Sequence, residues 1–268
     1  MAIIPARGGS KRIPRKNVRM FAGRPMLAHA IALARDSGLF ERVVVSTDDE
    51  EIAAVARAWG AEVPFVRPAA LADDLAPTVP VVAHAVQALL DAGSTVRQVC
   101  CLYPAVPLLS VSALQEGLAL LQRQPGATVY AFPVLAFESP IQRALRREAD
   151  GRTAPLYPEH VQTRSQDLEP AFYDAGQFYW AETATWLGGW SVHGHASTFV
   201  LPAHSVVDID VPEDWARAEA LLALKLGLAW APRRRMRPAG LGTPDSLPGV
   251  GRSAVDAWSR HRPGRAPV

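Results

Sequence analysis

The sequence has very little cysteine. Only Cys100 and Cys101 occur in 268 residues, and as neighbours in a strand they would point to opposite faces. That excludes a disulfide framework and suits a reducing compartment. Long apolar runs are also missing. No stretch reaches the roughly 18 to 20 residues that a membrane span needs, and the opening MAIIPARGGSK does not read as a signal peptide. We therefore expect a cytoplasmic protein without membrane contacts. A strong overall charge is absent too, the net being +2. Eight Arg against two Asp lie from Pro232 onward, so the rest of the chain is net acidic. The body is not that of a nucleic-acid-binding protein. There are no internal repeats.

What is present is an alternation of short apolar runs and helical patterns. Ala2-Ile3-Ile4, Val43-Val44-Val45, Val63 to Val66, Val99 to Tyr103 and Thr128 to Val134 read as buried strands. Pro25 to Ser37, Glu50 to Trp59, Thr78 to Ala92 and Ser112 to Gln124 carry helical spacing between them. Glycine stop signals follow three of these (Gly38, Gly60 and Gly93), and Asp48 or Asp49 is placed to cap the second. Alternation with short connections predicts an α/β fold, a mainly parallel sheet flanked by helices. From about 137 to 179 the pattern breaks into a polar, aromatic, proline-bearing stretch, expected to be a β-rich insertion or lid. Phe178-Tyr179-Trp180 reads as a strand returning to the sheet. Val206 to Val211 reads as a late strand, and Pro212 to Leu226 as a final helix. The expected domain covers 1–231, followed by a Pro/Gly/Arg-rich tail, 232–268, of disordered composition.

In an open parallel sheet, ligands bind at the carboxyl ends of the strands. The loop leaving the first strand holds Arg7, Gly8, Gly9, Ser10, Lys11, Arg12, Arg15, Lys16 and Asn17. Glycines let backbone N–H groups turn toward an anion, and the cations neutralise phosphate charge. The plainer alternative is a solvated basic loop. Neither GxxxxGK[ST] nor GxGxxG is present. Asp208-Ile209-Asp210 closes the predicted late strand. Residues two apart share a strand face, so both carboxylates can hold one magnesium ion, although a capping and a solvated Asp explain the pair equally well. His193 and His195 flank Gly194 in a polar loop without an evident carboxylate or cysteine partner and read as surface residues.

IIPARGGSKRIPRKN resembles the signature of the CMP-sialic acid synthetase family of cytidylyltransferases. QTRSQDL at 162–168 and DAGQFYW at 174–180, with SKRIPRKN, resemble the pseudaminic acid branch of that family. The resemblance covers about Ala2 to Leu226. It implies a nucleotide-diphospho-sugar transferase fold and transfer of CMP from CTP to a nine-carbon keto-acid sugar, feeding glycosylation of surface structures such as flagellin. It implies that Arg7 and Lys16 act on the triphosphate, with Lys16 at the α-phosphate. Gly8, Gly9, Ser10, Asn17, Arg67 and Thr78 would hold the nucleotide, although Thr78 serves equally as a helix N-cap. It implies Mg2+ on Asp208 and Asp210, with Asp210 the best placed base. Arg164 would grip the sugar carboxylate, and Gln166, Asp167 and Gln177 would reach the sugar's other polar groups. It also implies that the insertion mediates a homodimer. At 103–108 this chain reads YPAVPL where sialic acid enzymes have a QPTSPL-like segment, so Tyr103 stands at a sugar-contacting position. That departure favours the pseudaminic branch. Within the same fold, legionaminic, sialic and 3-deoxy-octulosonic acid enzymes stay open as alternatives. Outside it stand a sugar-nucleotide-dependent glycosyltransferase and a non-catalytic nucleotide-binding protein.

Overall fold

The computed structural model describes residues 1–73, 75–123 and 130–228. The elements run β1 (Ala2–Pro5), β2 (Met20–Phe21), β3 (Arg24–Pro25), α1 (Met26–Asp36), β4 (Val43–Ser46), α2 (Glu50–Ala58), α3 (Thr78–Asp91), β5 (Gln98–Leu102), α4 (Val111–Arg123) and β6 (Tyr130–Ala136). They continue with β7 (Leu145–Arg147), β8 (Thr153–Pro155), β9 (Phe172–Asp174), β10 (Phe178–Glu182), α5 (Thr183–Leu187), β11 (Ala196–Val200) and α6 (Pro212–Lys225). The main sheet has the order β11-β6-β10-β5-β1-β4, with β9 paired to β6. β1 pairs in parallel with both β4 and β5, and β11 in parallel with β6. Only β10 and β9 run against their neighbours.

The central strands are continuous apolar runs because both faces are covered. Ile4, Val43, Val45, Cys100 and Leu102 pack on one side with Leu27, Ile31 and Leu114 from α1 and α4. Ile3, Val99 and Cys101 pack on the other with Val82 and Val86 of α3 and Trp186 of α5. Burial of both cysteines leaves them free thiols, and burial pushes each thiol's pKa up. Asp49 caps α2, accepting from Ile52 N at 2.9 Å. Among the described residues no helix is long and apolar enough to cross a membrane.

Three expectations need correction. Val63 to Val66 is not a strand. The chain makes one bridge, Glu62 to Val44, and then leaves the sheet, because Pro64 has no N–H to continue a ladder. Val206 to Val211 is not a strand either. Val206, Val207 and Ile209 are buried, but they pair with no neighbouring strand and lead directly into α6. Thr78 is the first residue of α3 rather than its cap, which is Pro77, so its hydroxyl is available for other work. Two expected segments run past the described residues: Thr128 and Val129 ahead of β6, and Gln124 after α4. The tail 232–268 also lies outside them.

The stretch 137–179 does contain strands. β7 and β8 form a small antiparallel hairpin, and β9 joins the main sheet at β6 before β10 enters between β5 and β6.

Candidate active site

The loop after β1 is shaped by contacts to distant parts of the chain. Gly8 N donates to Asp48 Oδ1 at 3.0 Å. A Cβ on Gly8 would lie 2.7 Å from Asp49 Oδ2, so only glycine fits beneath that carboxylate. Arg15 takes a left-handed conformation, φ 56°, which side chains seldom adopt. Its guanidinium spans both oxygens of Asp49, at 2.5 and 2.9 Å, and also meets Glu51. This charge-assisted fork holds Asp49 down at about 2, Arg15 being the main cause, and raises Arg15 in turn. Sequence reasoning placed Arg15 among the phosphate-facing cations. The structure instead makes it a brace between the loop and the start of α2.

Asn17 is buried beneath the loop. Its Nδ2 donates to Arg7 O at 2.9 Å, while its buried Oδ1 has no partner. Lys16 reaches across to the segment before α6, donating to Ile209 O at 2.6 Å and lying 3.5 Å from Asp210 Oδ1. Arg12 pairs with the other oxygen of Asp210 at 2.8 Å. The Asp214 carboxylate accepts from the backbone N–H groups of Asp210 and Val211 at 3.0 and 2.9 Å, and so fixes the acidic stretch without a strand.

These groups open on a cavity of about 540 Å³ at the carboxyl ends of β1 and β5, a size typical of small-molecule sites. Its wall includes Arg7, Ser10, Lys11, Arg12, Lys16, Asn17, Arg67, Asp73, Thr78, Tyr103 and Asp210. Five cations thus face two carboxylates, a balance that calls for an anionic ligand. Arg67 is almost fully buried. Its Nε donates to Ser46 Oγ at 3.1 Å and its Nη2 to Ser46 O. Burial lowers its pKa to about 10, partly offset by Asp48. Thr78 Oγ1 and Tyr103 OH, in the same cavity, lie 2.8 Å apart.

Other expected residues fall outside the cavity wall. Gly8 and Gly9 are not part of it, and Gly9 is exposed. Asp208 stands two residues before Asp210, its carboxylate against Gly176, where a Cβ would come within 3.2 Å of Oδ2. Desolvation, then the charge of Asp210, raises the pKa of Asp208. Gln177 is only 1% exposed, its Nε2 donating to Ala175 O at 2.8 Å. It therefore shapes the turn before β10. Arg164, Gln166 and Asp167 lie exposed on a short 3-10 turn of the insertion. His193, expected to lack a carboxylate partner, meets Asp174 Oδ2 at 2.8 Å. No local signal in the sequence announces that pair, because the two residues are nineteen apart.

A sequence profile described as cytidylyltransferase matches residues 1–145. A pseudaminic acid cytidylyltransferase of Campylobacter jejuni is 42% identical over 82% of this chain and 95% of its own length. A CMP-N,N'-diacetyllegionaminic acid synthase of Legionella pneumophila is 30% identical over 84% and 96%. Among solved structures, a CMP:2-keto-3-deoxy-manno-octonic acid synthetase complexed with CTP superposes with a TM-score of 0.62 at 17% identity, covering 84% of this chain and 98% of that one. That last likeness bears on the fold, a Rossmann-like nucleotidyltransferase sheet. Through the profile and the close relatives, the chain belongs to the cytidylyltransferase family and is a nucleotidyltransferase.

Proposed function

We propose that the chain transfers the CMP group of CTP to the anomeric hydroxyl of a nine-carbon 2-keto acid sugar, pseudaminic acid first among them. The observation that carries this reading is the meeting of Lys16, Arg12 and Asp210 in one cavity with Arg7 and Asn17. Arg7, Ser10 and Lys16 face the triphosphate, and the unpartnered Oδ1 of Asn17 accepts from the nucleoside. Arg67 and Thr78 lie farther along the same wall for base and ribose, and Tyr103 faces the sugar. The 42% identity to a pseudaminic acid enzyme supports that choice of sugar, as does Tyr103 at a position where sialic acid enzymes resemble one another in having glutamine.

In the reaction, the sugar oxygen bonds to the α-phosphorus as the bond to the bridging oxygen of pyrophosphate breaks. Lys16 neutralises the charge that gathers on the α-phosphate oxygens. Asp210 is the carboxylate placed to accept the hydroxyl proton. Asp208 and Asp210 supply oxygen donors only, and the charge of one raises the pKa of the other. That donor set suits a hard divalent cation, which we take to be Mg2+. When bound, such a cation neutralises phosphate charge and acidifies the attacking hydroxyl.

The insertion gathers Phe137, Ile141, Leu145, Leu156, Tyr157, Val161, Phe172 and Tyr173 as exposed large hydrophobics. We take this as the face on which two copies meet, bringing Arg164, Gln166 and Asp167 of one copy toward the sugar of the other. The transferase domain is then 1–231 with its insertion at 137–179, and 232–268 is an appended tail. Two free thiols suit the cytoplasm. The test is pyrophosphate release from CTP with a panel of nine-carbon and eight-carbon keto-acid sugars. Pseudaminic acid is expected to turn over fastest. No release with any sugar overturns the transfer reading, and faster turnover of another sugar overturns the choice of substrate.

A further inference from the structure

Arg12 is a cavity cation to which the transfer chemistry gives no task, and it stands on a carboxylate that the chemistry needs. Its Nη2 lies 2.8 Å from Asp210 Oδ2. Lys16 Nζ lies 3.5 Å from Asp210 Oδ1. Each oxygen of Asp210 thus faces a cation, but the two cations are held differently. Lys16 has a side chain only 20% exposed and is anchored by its 2.6 Å bond to Ile209 O. Arg12 is 64% exposed, and among the described residues Asp210 is the carboxylate with which it pairs. Asp210 is itself fixed at its backbone, where its N–H donates to Asp214 Oδ2 at 3.0 Å. The movable member of the group is therefore Arg12.

An exposed ion pair of this kind contributes little to stability. Its effect on a second cation is larger. A divalent ion bound to Asp210 Oδ2 at about 2.1 Å would stand within about 5 Å of the guanidinium nitrogen. Two positive charges would there meet one, on an oxygen that the guanidinium already engages. A nucleoside triphosphate changes the balance. Its phosphate groups carry more charge than a carboxylate and accept the planar guanidinium through two parallel hydrogen bonds. Arg12 lines the same cavity as Arg7, Ser10 and Lys16. Phosphates seated there give Arg12 a new partner without drawing it out of the cavity.

We propose that Arg12 is a latch on Asp210, which keeps a divalent cation off the acidic pair until the triphosphate of CTP draws the guanidinium away, so that nucleotide and metal bind as a coupled pair. This rests on the reading that the cavity holds CTP and that Asp208 and Asp210 hold the metal. The coupling is reciprocal. The factor by which CTP tightens the metal is the factor by which the metal tightens CTP.

The experiment titrates Mn2+ alone into the full chain and follows the free ion by electron paramagnetic resonance. The proteins are the parent, Arg12→Gln, Arg12→Lys, and Arg12→Gln combined with Asp210→Asn. CTP is then titrated calorimetrically into the parent and Arg12→Gln, once in EDTA and once in saturating Mg2+. Arg12→Gln is expected to bind Mn2+ about tenfold more tightly than the parent. Arg12→Lys keeps the charge and is expected to stay near the parent. Asp210→Asn is expected to remove the gain of Arg12→Gln. The factor by which Mg2+ tightens CTP is expected to fall about tenfold in Arg12→Gln. The complex of Mg2+ with CTP in solution is common to both proteins and cancels in that comparison. Unchanged or weaker Mn2+ binding in Arg12→Gln overturns the latch. So does a gain that survives Asp210→Asn, or one that Arg12→Lys shares. Undiminished coupling between Mg2+ and CTP overturns the exchange of partners. Neither titration uses sugar or turnover, so absent pyrophosphate release with affinities ordered as expected would sink the transfer reading and leave the latch standing.

Discussion

The loop after β1 and the insertion are both irregular stretches rich in polar residues, yet they are built in opposite ways. The loop from Arg7 to Asn17 is tied to residues far along the chain: Gly8 to Asp48, Arg15 to Asp49 and Glu51, Lys16 to Ile209 and Asp210. The insertion turns its large hydrophobics outward, and its candidate sugar residues stand away from the cavity. On our proposed reading, the difference separates a nucleotide half of the site, held by one chain, from a sugar half that we expect a second copy to finish.

The sharpest way to break this contrast is at Lys16. Lys16→Ala is expected to lower kcat/KM on the order of a hundredfold to a thousandfold while the melting temperature holds, since it removes a preorganised charge at the reacting phosphate. Near-parental activity would reduce the loop to a solvated surface.

The next largest effect concerns the support of the loop. His29 on α1 is buried and donates from Nε2 to Phe21 O at 3.0 Å, holding the hairpin by which the loop returns to the body. Burial, the main cause, lowers its pKa to about 4 from the ordinary 6.5. The unfolded chain therefore takes up this proton first as pH falls. The stability involved is fully present above pH 6.5 and is lost progressively toward pH 4, by about 3 kcal/mol. Urea unfolding between pH 7 and pH 4 should show that loss in the parent and a smaller one in His29→Gln. Equal slopes would place the acid sensitivity elsewhere.

Arg15→Ala should raise the KM for CTP about tenfold with little change in kcat, because it frees the loop without touching the chemistry. A collapse of kcat instead would make Arg15 a phosphate ligand and not a brace. The smallest effect is expected on the other side of the comparison. Leu145→Asp, on the exposed hairpin of the insertion, should weaken self-association about tenfold. Its readout is static light scattering over a concentration series, and CTP affinity should not move. A monomeric parent would remove the second copy from the account.

Much of the fold was legible because the central strands are buried on both faces, which makes them unbroken apolar runs such as Val43 to Val45 and Val99 to Leu102. The misreadings share a cause. Val63 and Phe65 only half-bury against the core and Val66 is exposed, whereas Val206, Val207 and Ile209 are buried from its rim; an apolar run does not by itself demand a ladder. β11, Ala196–Val200, went unnoticed because only Phe199 in it is deeply buried. Within the site, residue types were readable and partnerships were not. Arg15 reads as one more cation until Asp49 is seen beside it, and His193 reads as a surface residue until Asp174 comes into place from nineteen positions away.

The position of β10 has a consequence for how the protein is made. It lies between β5 and β6 in space but follows both, and the whole insertion, in sequence. During synthesis, β5 and β6 leave the ribosome without the strand that joins them, and each keeps an open edge until residues 178–182 emerge. The sheet therefore closes late, and a nascent chain stalled in the insertion leaves β5 with one unpaired edge and β6 with both, since β11 follows β10. Chaperone demand should peak over that interval of translation and fall once β10 is added.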